Sequence, residues 1–312
     1  MDLSNAIKQQ GRRLGFDLVG ITSAEPIGPE DTGHLKNWLN DGCPDELQYM
    51  RRNIEVRTDP AELLGNAQSV ICVGLNYKPA RIANDNPANA RIANFALYED
   101  YHAFIKKLLH KLCDFIKDEI SPKEASFKIC ADTAPIMERA LAQRAGIGFI
   151  GKNHLLIHPR LGLQLLLGEI VTDLKLPPDT PMTNKCPDCN KCMRACPGGA
   201  LAEDGSFDGR KCISFLNQYG TEPATLQNYS QFVFGCDECI LSCPFDINAP
   251  QRANGDFKFF PERAALSPAE IINWNQGDFD NHFAGSPVER LGLERLKSNA
   301  NACLKNEYTS GD

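Results

Sequence analysis

The sequence has no long hydrophobic run and no excess of positive charge. No stretch approaches the roughly 18 uninterrupted apolar residues needed to span a bilayer, and the basic residues near the start are not followed by the apolar segment of a secretory signal. The formal net charge is −7, which argues against broad electrostatic binding of nucleic acid but leaves room for a local basic surface. We therefore expect a cytoplasmic protein that does not bind membranes.

Familiar nucleotide and metal motifs are also missing. Residues 146–151 carry the letters G-x-G-x-x-G, but a predicted helix precedes them where a dinucleotide site needs a strand. Lys152 is not followed by the Ser or Thr of a phosphate-binding loop. Pro159 predicts an extended segment around His154 and His158, so we expect no metal shared between them.

The overall composition is that of an ordinary globular protein, with 42% hydrophobic and 23% charged residues over 312 positions. Apolar runs at residues 69–75 and 163–171 are typical of buried strands and alternate with predicted helices, which indicates a mixed α/β domain over residues 1–175. A proline-rich linker then leads to a cysteine module over residues 176–250. Residues 251–312 are predicted to be a helical segment packing on both, because two Ser-Pro-x-Glu sequences there are typical helix starts.

One acidic residue, Asp132, precedes a predicted helix. We expect this helix to span residues 135–145, with Pro135 in its first position and Gly146 as its cap. A carboxylate just before a helix is favoured by the helix dipole, so the residues alone favour a structural role for Asp132 over a catalytic one. Arg139 and other basic residues lie nearby. A run of basic residues usually forms a surface exposed to solvent, and the residues alone favour this interpretation.

Eight of the 13 cysteines lie between residues 186 and 243 and carry the clearest chemical pattern. The first run is an unbroken C-x2-C-x2-C-x3-C-P, typical of bacterial ferredoxins, in which the last cysteine binds the neighbouring cluster. The second run lacks its leading cysteine, which Cys212 can supply. This predicts a ferredoxin-like module with two [4Fe–4S] clusters, whose ligands are Cys186, Cys189, Cys192 and Cys243 for the first, and Cys196, Cys212, Cys236 and Cys239 for the second.

Structural zinc is the alternative for this module. Zinc sites usually draw two C-x2-C pairs from separate segments, whereas here three cysteines fall within seven residues, so we favour clusters. Two adjacent clusters form a path for single electrons. The remaining cysteines stand at unrelated spacings and are predicted to be small buried hydrophobes: Cys43, Cys72, Cys113, Cys130 and Cys303.

Besides both cysteine runs, several short segments stand out: residues 56–60 (VRTDP), 70–77 (VICVGLNY), 100–102 (DYH), 132–135 (DTAP), 146–153 (GIGFIGKN), 167–169 (LGE) and 285–288 (GSPV). Taken together in order and spacing, they resemble the epoxyqueuosine reductases, cobalamin-dependent iron–sulfur enzymes that complete queuosine in the tRNA anticodon. The resemblance covers nearly the whole chain.

The resemblance implies a catalytic role for the N-terminal domain. That domain would bind base-off cobalamin, fed with electrons by the two clusters, and cob(I)alamin would act on the epoxide of the cyclopentane ring. Asp132 matches the proposed proton donor of the family. Contacts with cobalamin are implied for Arg57, Asp132, Lys152, Asn153 and Leu156, and contacts with tRNA phosphates for Arg139 and Arg144.

The implied partners are a tRNA carrying epoxyqueuosine and an external one-electron donor, and we expect a monomer. Many members of the family continue into a C-terminal helical-repeat segment, whereas this sequence stops at Asp312, so substrate delivery is expected to differ or to rely on the helices present. Two other functions stay open: a two-cluster electron carrier, and a related cobalamin-dependent reductase of a small molecule.

Overall fold

A computed structural model describes residues 2–80, 89–121, 124–186, 188–220 and 231–309, with side chains in the last helix described as far as Lys305. Its helices are α1 (Leu3–Arg13), α2 (Pro29–Asp41), α3 (Ile54–Thr58), α4 (Tyr101–Ile120), α5 (Glu138–Arg144), α6 (Lys191–Ala195), α7 (Ile213–Tyr219), α8 (Glu238–Leu241), α9 (Pro244–Ile247), α10 (Pro268–Ile271), α11 (Gln276–Phe283) and α12 (Leu293–Thr309). Its strands are β1 (Leu18–Ser23), β2 (Ser69–Asn76), β3 (Arg91–Ile92), β4 (Phe127–Cys130), β5 (Phe149–Ile150), β6 (Leu156–Ile157), β7 (Leu165–Thr172) and β8 (Phe232–Phe234).

A four-stranded sheet with the order β1-β2-β7-β4 forms the centre of the fold, and each pair of neighbours is antiparallel. The two apolar runs that predicted buried strands are β2 and β7, so both predictions are confirmed. Every residue of β2 is buried, which explains its continuous apolar sequence. On β7 the run is interrupted by Glu169, which lies opposite Cys72 of β2 and Cys130 of β4.

Helices cover the two faces of this sheet. The amphipathic helices α1 and α4 pack on one face and form the larger core. Helix α4 approaches β7 closely at Gly168, where an added Cβ would lie 2.7 Å from Ile105 Cγ2. On the opposite face, α5 packs against Cys72 and Cys130 in a second core. The loop that joins β4 to α5 carries Asp132 and therefore emerges at the edge of this second core.

The cysteine module and the C-terminal helices share their core with the first part of the chain. Strand β3 pairs in parallel with β8, and α12 packs on β8 and α7. Arg263 is 1% exposed and donates to the carbonyl oxygens of Ala96, Tyr98 and His282. The division into residues 1–175, 176–250 and 251–312 stays a prediction, since strand pairing and packing connect the three parts. Within the described ranges, no helix is long and apolar enough to cross a membrane.

Two predicted helix starts were wrong, and one cap was right. Helix α5 begins at Glu138 rather than at Pro135, because tight turns fill the preceding loop and Asp132 takes a left-handed conformation with φ of 57°. Gly146 does cap this helix with φ of 71°, as predicted.

The two Ser-Pro-x-Glu sequences behave differently. Ser267 begins α10 with a complete capping box, as predicted. The hydroxyl of Ser286 instead donates back to the carbonyl oxygen of Phe283, and only a 3-10 turn, Glu289–Leu291, follows before α12.

Candidate active site and cluster sites

The first cysteine set lines a cleft of about 330 Å³. Its walls include Cys186, Cys189, Cys192 and Cys243, the four ligands predicted for the first cluster. Burial, and then the charges of Cys186 and Cys243, raise the pKa of Cys192. Cys243, which belongs to the second cysteine run, therefore lies in the same cleft as three cysteines of the first run.

The second set is gathered in the same way from three segments. Burial raises the pKa of Cys239, and the charges of Cys236, Cys212 and Cys196 add to the increase. Burial likewise raises the pKa of Cys212, with a contribution from Cys196. The Cys196 sulfur also accepts a backbone hydrogen bond at 3.2 Å from the nitrogen of Ala200. These four thiols are thus near neighbours, as the predicted ligands of one cluster must be.

A single zinc ion and a cubane require different spacings of four thiols. Zinc holds four ligands at about 2.3 Å from one centre, which brings their sulfur atoms close together. Within the described ranges, no three His, Cys, Asp or Glu side chains are grouped tightly enough to hold one metal ion. A cubane binds each thiolate at a different iron, so its ligands stand farther apart.

The segment after β5 connects the catalytic domain to both cysteine sets. Lys152 Nζ donates to the Cys189 carbonyl oxygen at 3.2 Å, and Asn153 Nδ2 donates to that of Cys239 at 3.3 Å. Leu156 is 4% exposed and packs in the core next to α5, which leaves its backbone rather than its side chain for a ligand. The structure therefore places Lys152 and Asn153 beside the module and Leu156 in the core beside α5.

Asp132 is held by side chains from helix α4. His102 Nε2 lies 2.9 Å from Asp132 Oδ2, and His102 Nδ1 lies 2.6 Å from Asp100 Oδ1. Asp100 is also the N-cap of α4, because its carboxylate accepts from the backbone nitrogen of His102. The hydrogen bond from His102 lowers the pKa of Asp132 against the opposing effect of burial, and Tyr101 and Arg290 lower it further.

The pKa of His102 shifts in the opposite direction. Burial favours the neutral ring, but the hydrogen bonds and charges of Asp132 and Asp100 outweigh burial and raise the pKa above its ordinary value. In the free protein the proton of the pair therefore resides on His102, and Asp132 is a carboxylate.

Two further carboxyl groups lie behind the Asp132 loop. The backbone nitrogen of Asp132 donates to Glu138 Oε1 at 2.6 Å. Glu169, beneath it on β7, is 0% exposed, and neither of its carboxyl oxygens has a normal hydrogen-bond partner among the described residues. Burial raises the pKa of both Glu138 and Glu169, and their mutual repulsion raises that of Glu169 further. Burial therefore favours the protonated form of both carboxyl groups, and Glu138 is the acceptor that holds the loop.

An open, aromatic cleft adjoins Asp132. Tyr49 is 49% exposed; burial raises its pKa, Tyr219 and Asp132 raise it further, and Arg57 lowers it. Tyr219 also borders an open cleft whose walls include Trp38, Leu47, Phe207, Cys212, Ser214 and Phe215. Because Cys212 belongs to the second cysteine set, this cleft adjoins that set.

The two arginines predicted to contact tRNA have different surroundings. Arg144 donates to Thr22 Oγ1 at 2.9 Å and to the carbonyl oxygens of Ser23 and Pro26 at 2.7 and 3.1 Å, so it clamps the end of β1. Arg139 donates to the carbonyl oxygen of His154, and its side chain is solvent-exposed although desolvation lowers its pKa. Arg139 therefore has more capacity left for a phosphate than Arg144.

The residues that the motifs did not reveal are His102, Glu138 and Glu169. His102 has no ligand spacing, but it stands two residues after the helix-capping Asp100, in the segment 100–102 that the family resemblance includes. Glu169 carries a clearer signal, since a lone acid inside a strand of otherwise apolar residues must have a special environment.

Fold and site together define a class of protein: a mixed α/β domain joined to a double-cluster iron–sulfur domain. Residues 185–246 match the family model "4Fe-4S double cluster binding domain", and residues 57–133 match the family model "Epoxyqueuosine reductase QueG, DUF1730". The chain is 36% identical to an epoxyqueuosine reductase of Pseudomonas aeruginosa, over 97% of this chain and 85% of the relative.

Solved structures agree. An epoxyqueuosine reductase with an epoxyqueuosine-modified tRNA-Tyr stem loop aligns with a TM-score of 0.89 and 26% identity, covering 97% of this chain and 81% of that one. An epoxyqueuosine reductase from Bacillus subtilis, with its catalytic loop swung out of the active site, aligns with a TM-score of 0.85 and 25% identity over the same shares. This chain belongs to the epoxyqueuosine reductase family.

Proposed function

We propose that this protein reduces epoxyqueuosine in tRNA to queuosine. The observation that carries the proposal is that the Asp132 carboxylate acts on the pKa of Tyr49 together with Tyr219, and that Tyr219 borders the cleft whose wall contains Cys212 of the second cysteine set. An acid thus lies near the predicted electron path. A relative with the same fold was solved with an epoxyqueuosine-modified tRNA stem loop, which supports this substrate.

The cofactors are two [4Fe–4S] clusters and cobalamin. The chemistry of the cleft fits a flat ligand that carries amide groups: aromatic side chains line it, and Trp38 Nε1 and His154 Nε2 near it are buried without a hydrogen-bond partner in the described part of the chain. Arg57, Tyr49 and Tyr219 would border that ligand beside Asp132. When bound, cobalamin supplies a two-electron reductant that reacts with the epoxide.

The cysteine sets define an order of electron transfer. We assign Cys186, Cys189, Cys192 and Cys243 to the first cluster and Cys196, Cys212, Cys236 and Cys239 to the second. Only the second set contributes a residue, Cys212, to the aromatic cleft, whereas the first set lines a separate cleft with Lys152. Electrons from an external one-electron donor would therefore enter at the first cluster and leave from the second.

Asp132 acts as the proton donor to the epoxide oxygen. The lowered pKa of Asp132 opposes this role in the free protein, because a donor must carry its proton at the working pH. A bound cofactor and tRNA would exclude water from the loop, and desolvation favours the neutral acid. The loop of the Bacillus relative has a swung-out position, which supports a loop that moves before it closes on substrate.

The surrounding assignments are parts of the same proposal. Lys152 and Asn153 hold the module against the catalytic domain, Leu156 offers backbone, and Arg139 is the better candidate than Arg144 for a tRNA phosphate. We propose a cytoplasmic monomer in which residues 1–175 carry catalysis, residues 176–250 the clusters and residues 251–312 a supporting helical segment.

The test is an anaerobic assay of the cluster-loaded protein. Added cobalamin should change the visible spectrum on binding, and a reduced sample should convert an epoxyqueuosine-containing stem loop to queuosine, measured by nucleoside analysis. A protein that holds both clusters but binds no cobalamin would instead be a two-cluster electron carrier. Binding of cobalamin without conversion of the stem loop would favour a reductase of a small molecule.

A further inference from the structure

The chemistry of the proposed reaction requires more protons than Asp132 can hold. Converting an epoxide to a carbon–carbon double bond and water consumes two electrons and two protons. The first proton joins the oxygen as one carbon–oxygen bond breaks, and the second joins it as the other bond breaks and water leaves. The two electrons become the second bond between the carbons. A single carboxyl group must therefore be reprotonated within each turnover.

We infer that His102 supplies the second proton through Asp132, and that Asp100 holds His102 ready for this role. The inference rests on the proposed function. Its structural basis is a continuous chain of contacts, from Asp100 Oδ1 to His102 Nδ1 at 2.6 Å and from His102 Nε2 to Asp132 Oδ2 at 2.9 Å. A proton can move along this chain without rearrangement of the backbone.

Each residue of the Asp100–His102–Asp132 relay has the solvent exposure that its role requires. The Asp132 side chain is 50% exposed and faces the open site, where the substrate oxygen would lie. The His102 side chain is 12% exposed, so bulk water does not compete for its proton. The Asp100 side chain is 38% exposed, which gives His102 a route to solvent from which it is recharged between turnovers.

The charges around the Asp100–His102–Asp132 relay favour a protonated His102. The His102 ring stacks on the ring of Tyr101 at 4.1 Å between centroids. The other groups that face the chain come from several elements and are Asp100 at the start of α4, Lys106 one turn further along it, Asp132 in the loop, Glu138 on α5 and Arg290 in the C-terminal segment. Two carboxylates contact the ring directly and Arg290 acts on the outer side of Asp132, so the balance at His102 is negative.

The proton balance closes as follows. Asp132 takes up a proton from water before the site closes, gives it to the epoxide oxygen and becomes a carboxylate again. His102 then passes the proton on Nε2 to Asp132 Oδ2 and becomes neutral. Asp132 gives this second proton to the same oxygen, which leaves as water. His102 is therefore a positioning and proton-supplying residue that acts through Asp132, and only Asp132 touches the substrate.

The test is a single-turnover assay with reduced, cluster- and cobalamin-loaded protein and the epoxyqueuosine stem loop. His102→Gln keeps a donor to Asp132 but removes the titrating ring. We expect its rate to fall by about 10- to 100-fold, with stem-loop affinity unchanged within about twofold. The wild-type rate should decline as pH rises through the raised pKa of His102, and this decline should vanish in the variant. His110→Gln, on an exposed position of the same helix, is the matched control and should behave as wild type.

A second variant keeps the test informative if His102→Gln impairs folding. Asp100→Asn retains the ring and its contact with Asp132 but removes a negative charge, so the decline of the rate should move to lower pH. The pKa of His102 can also be measured directly, by NMR of the cluster-loaded protein with labelled imidazole nitrogens, and should exceed the ordinary value of about 6.5.

Two results separate the two proposals. A His102→Gln protein that matches an active wild type in rate and pH profile would eliminate the role of His102 and leave the proposed function intact. A wild-type protein that binds the stem loop but leaves epoxyqueuosine unchanged would overturn the function itself, and the inference with it.

Discussion

The cysteine module and the Asp132 site are built by opposite means. In the module, three ligands of the first cluster come from seven consecutive residues, and the last of them, Cys192, lies on the short helix α6. At the Asp132 site, a helix start, a loop and a strand from distant parts of the chain meet around one carboxylate. The module shows how ligand spacing determines a site locally. The Asp132 site shows how a sheet creates a proton relay that no local pattern contains.

The largest effect should come from removing Cys212, the predicted cluster ligand that belongs to neither cysteine run. Cys212→Ala removes the cysteine that lies between the two runs, so we expect loss of the second cluster, a fall in bound iron of about half, and no detectable turnover. Iron and sulfide analysis of anaerobically purified protein provides the measurement. Cys43→Ala is the control, because Cys43 lies outside both sets and should keep all the iron. Full iron content in the Cys212 variant would contradict the ligand assignment.

Asp132→Asn should separate the two regions functionally. The amide cannot donate a carboxylic proton, so we expect turnover to fall by about 10²- to 10⁴-fold while both clusters and cobalamin stay bound. Visible spectra report binding, and single-turnover nucleoside analysis reports the rate. Asp114→Asn, at an exposed position on α4, should change neither. Wild-type turnover in the Asp132 variant would remove it from the mechanism.

Glu138→Ala tests whether the hydrogen bond from the Asp132 nitrogen to Glu138 holds the Asp132 loop in place. Without the acceptor for the Asp132 nitrogen, the loop should leave the active site more often, and we expect the rate constant to fall about tenfold, equivalent to about 1.4 kcal/mol. Glu138→Gln keeps an acceptor oxygen and should restore most of the rate. The KM for the stem loop should change little in either variant. Equal rates in the Ala and Gln variants would show that the hydrogen bond does not position Asp132.

The smallest effect is expected at Glu169. Because burial raises the pKa of this carboxyl and so favours its neutral form, we expect Glu169→Gln to change the free energy of unfolding at about pH 6 by less than about 1 kcal/mol. Groups with raised pKa values stabilise the folded state below those values, so the wild type should lose stability as pH rises through the pKa values of Glu138 and Glu169.

Urea denaturation of wild type and Glu169→Gln at about pH 6 and about pH 8 measures this difference. The variant has one fewer of these groups and should lose less stability over this interval. An equal loss in the wild type and the variant would mean that Glu169 is already ionised in the folded protein at both pH values.

Part of the fold and the site could be predicted, and the successes have a common physical basis. The apolar runs that became β2 and β7 and the cap at Gly146 depend on short stretches of chain and on burial. The start of α5 could not be found in this way, because a tertiary contact, the Asp132 nitrogen bonded to Glu138, keeps the preceding residues out of the helix. Ser286 failed as a helix start because its hydroxyl bonds back to the previous helix.

The sequence by itself therefore determined the chemistry of the clusters, because cysteines within a few residues can reach one cubane whatever surrounds them. Only the tertiary structure brought Cys243 to the cleft of the first run, and only it placed His102 against Asp132, 30 positions further along the chain. The reason is that this contact exists only once α4 and β4 have packed on the same sheet. The electron path was evident in the spacing of residues, and the proton path required the fold.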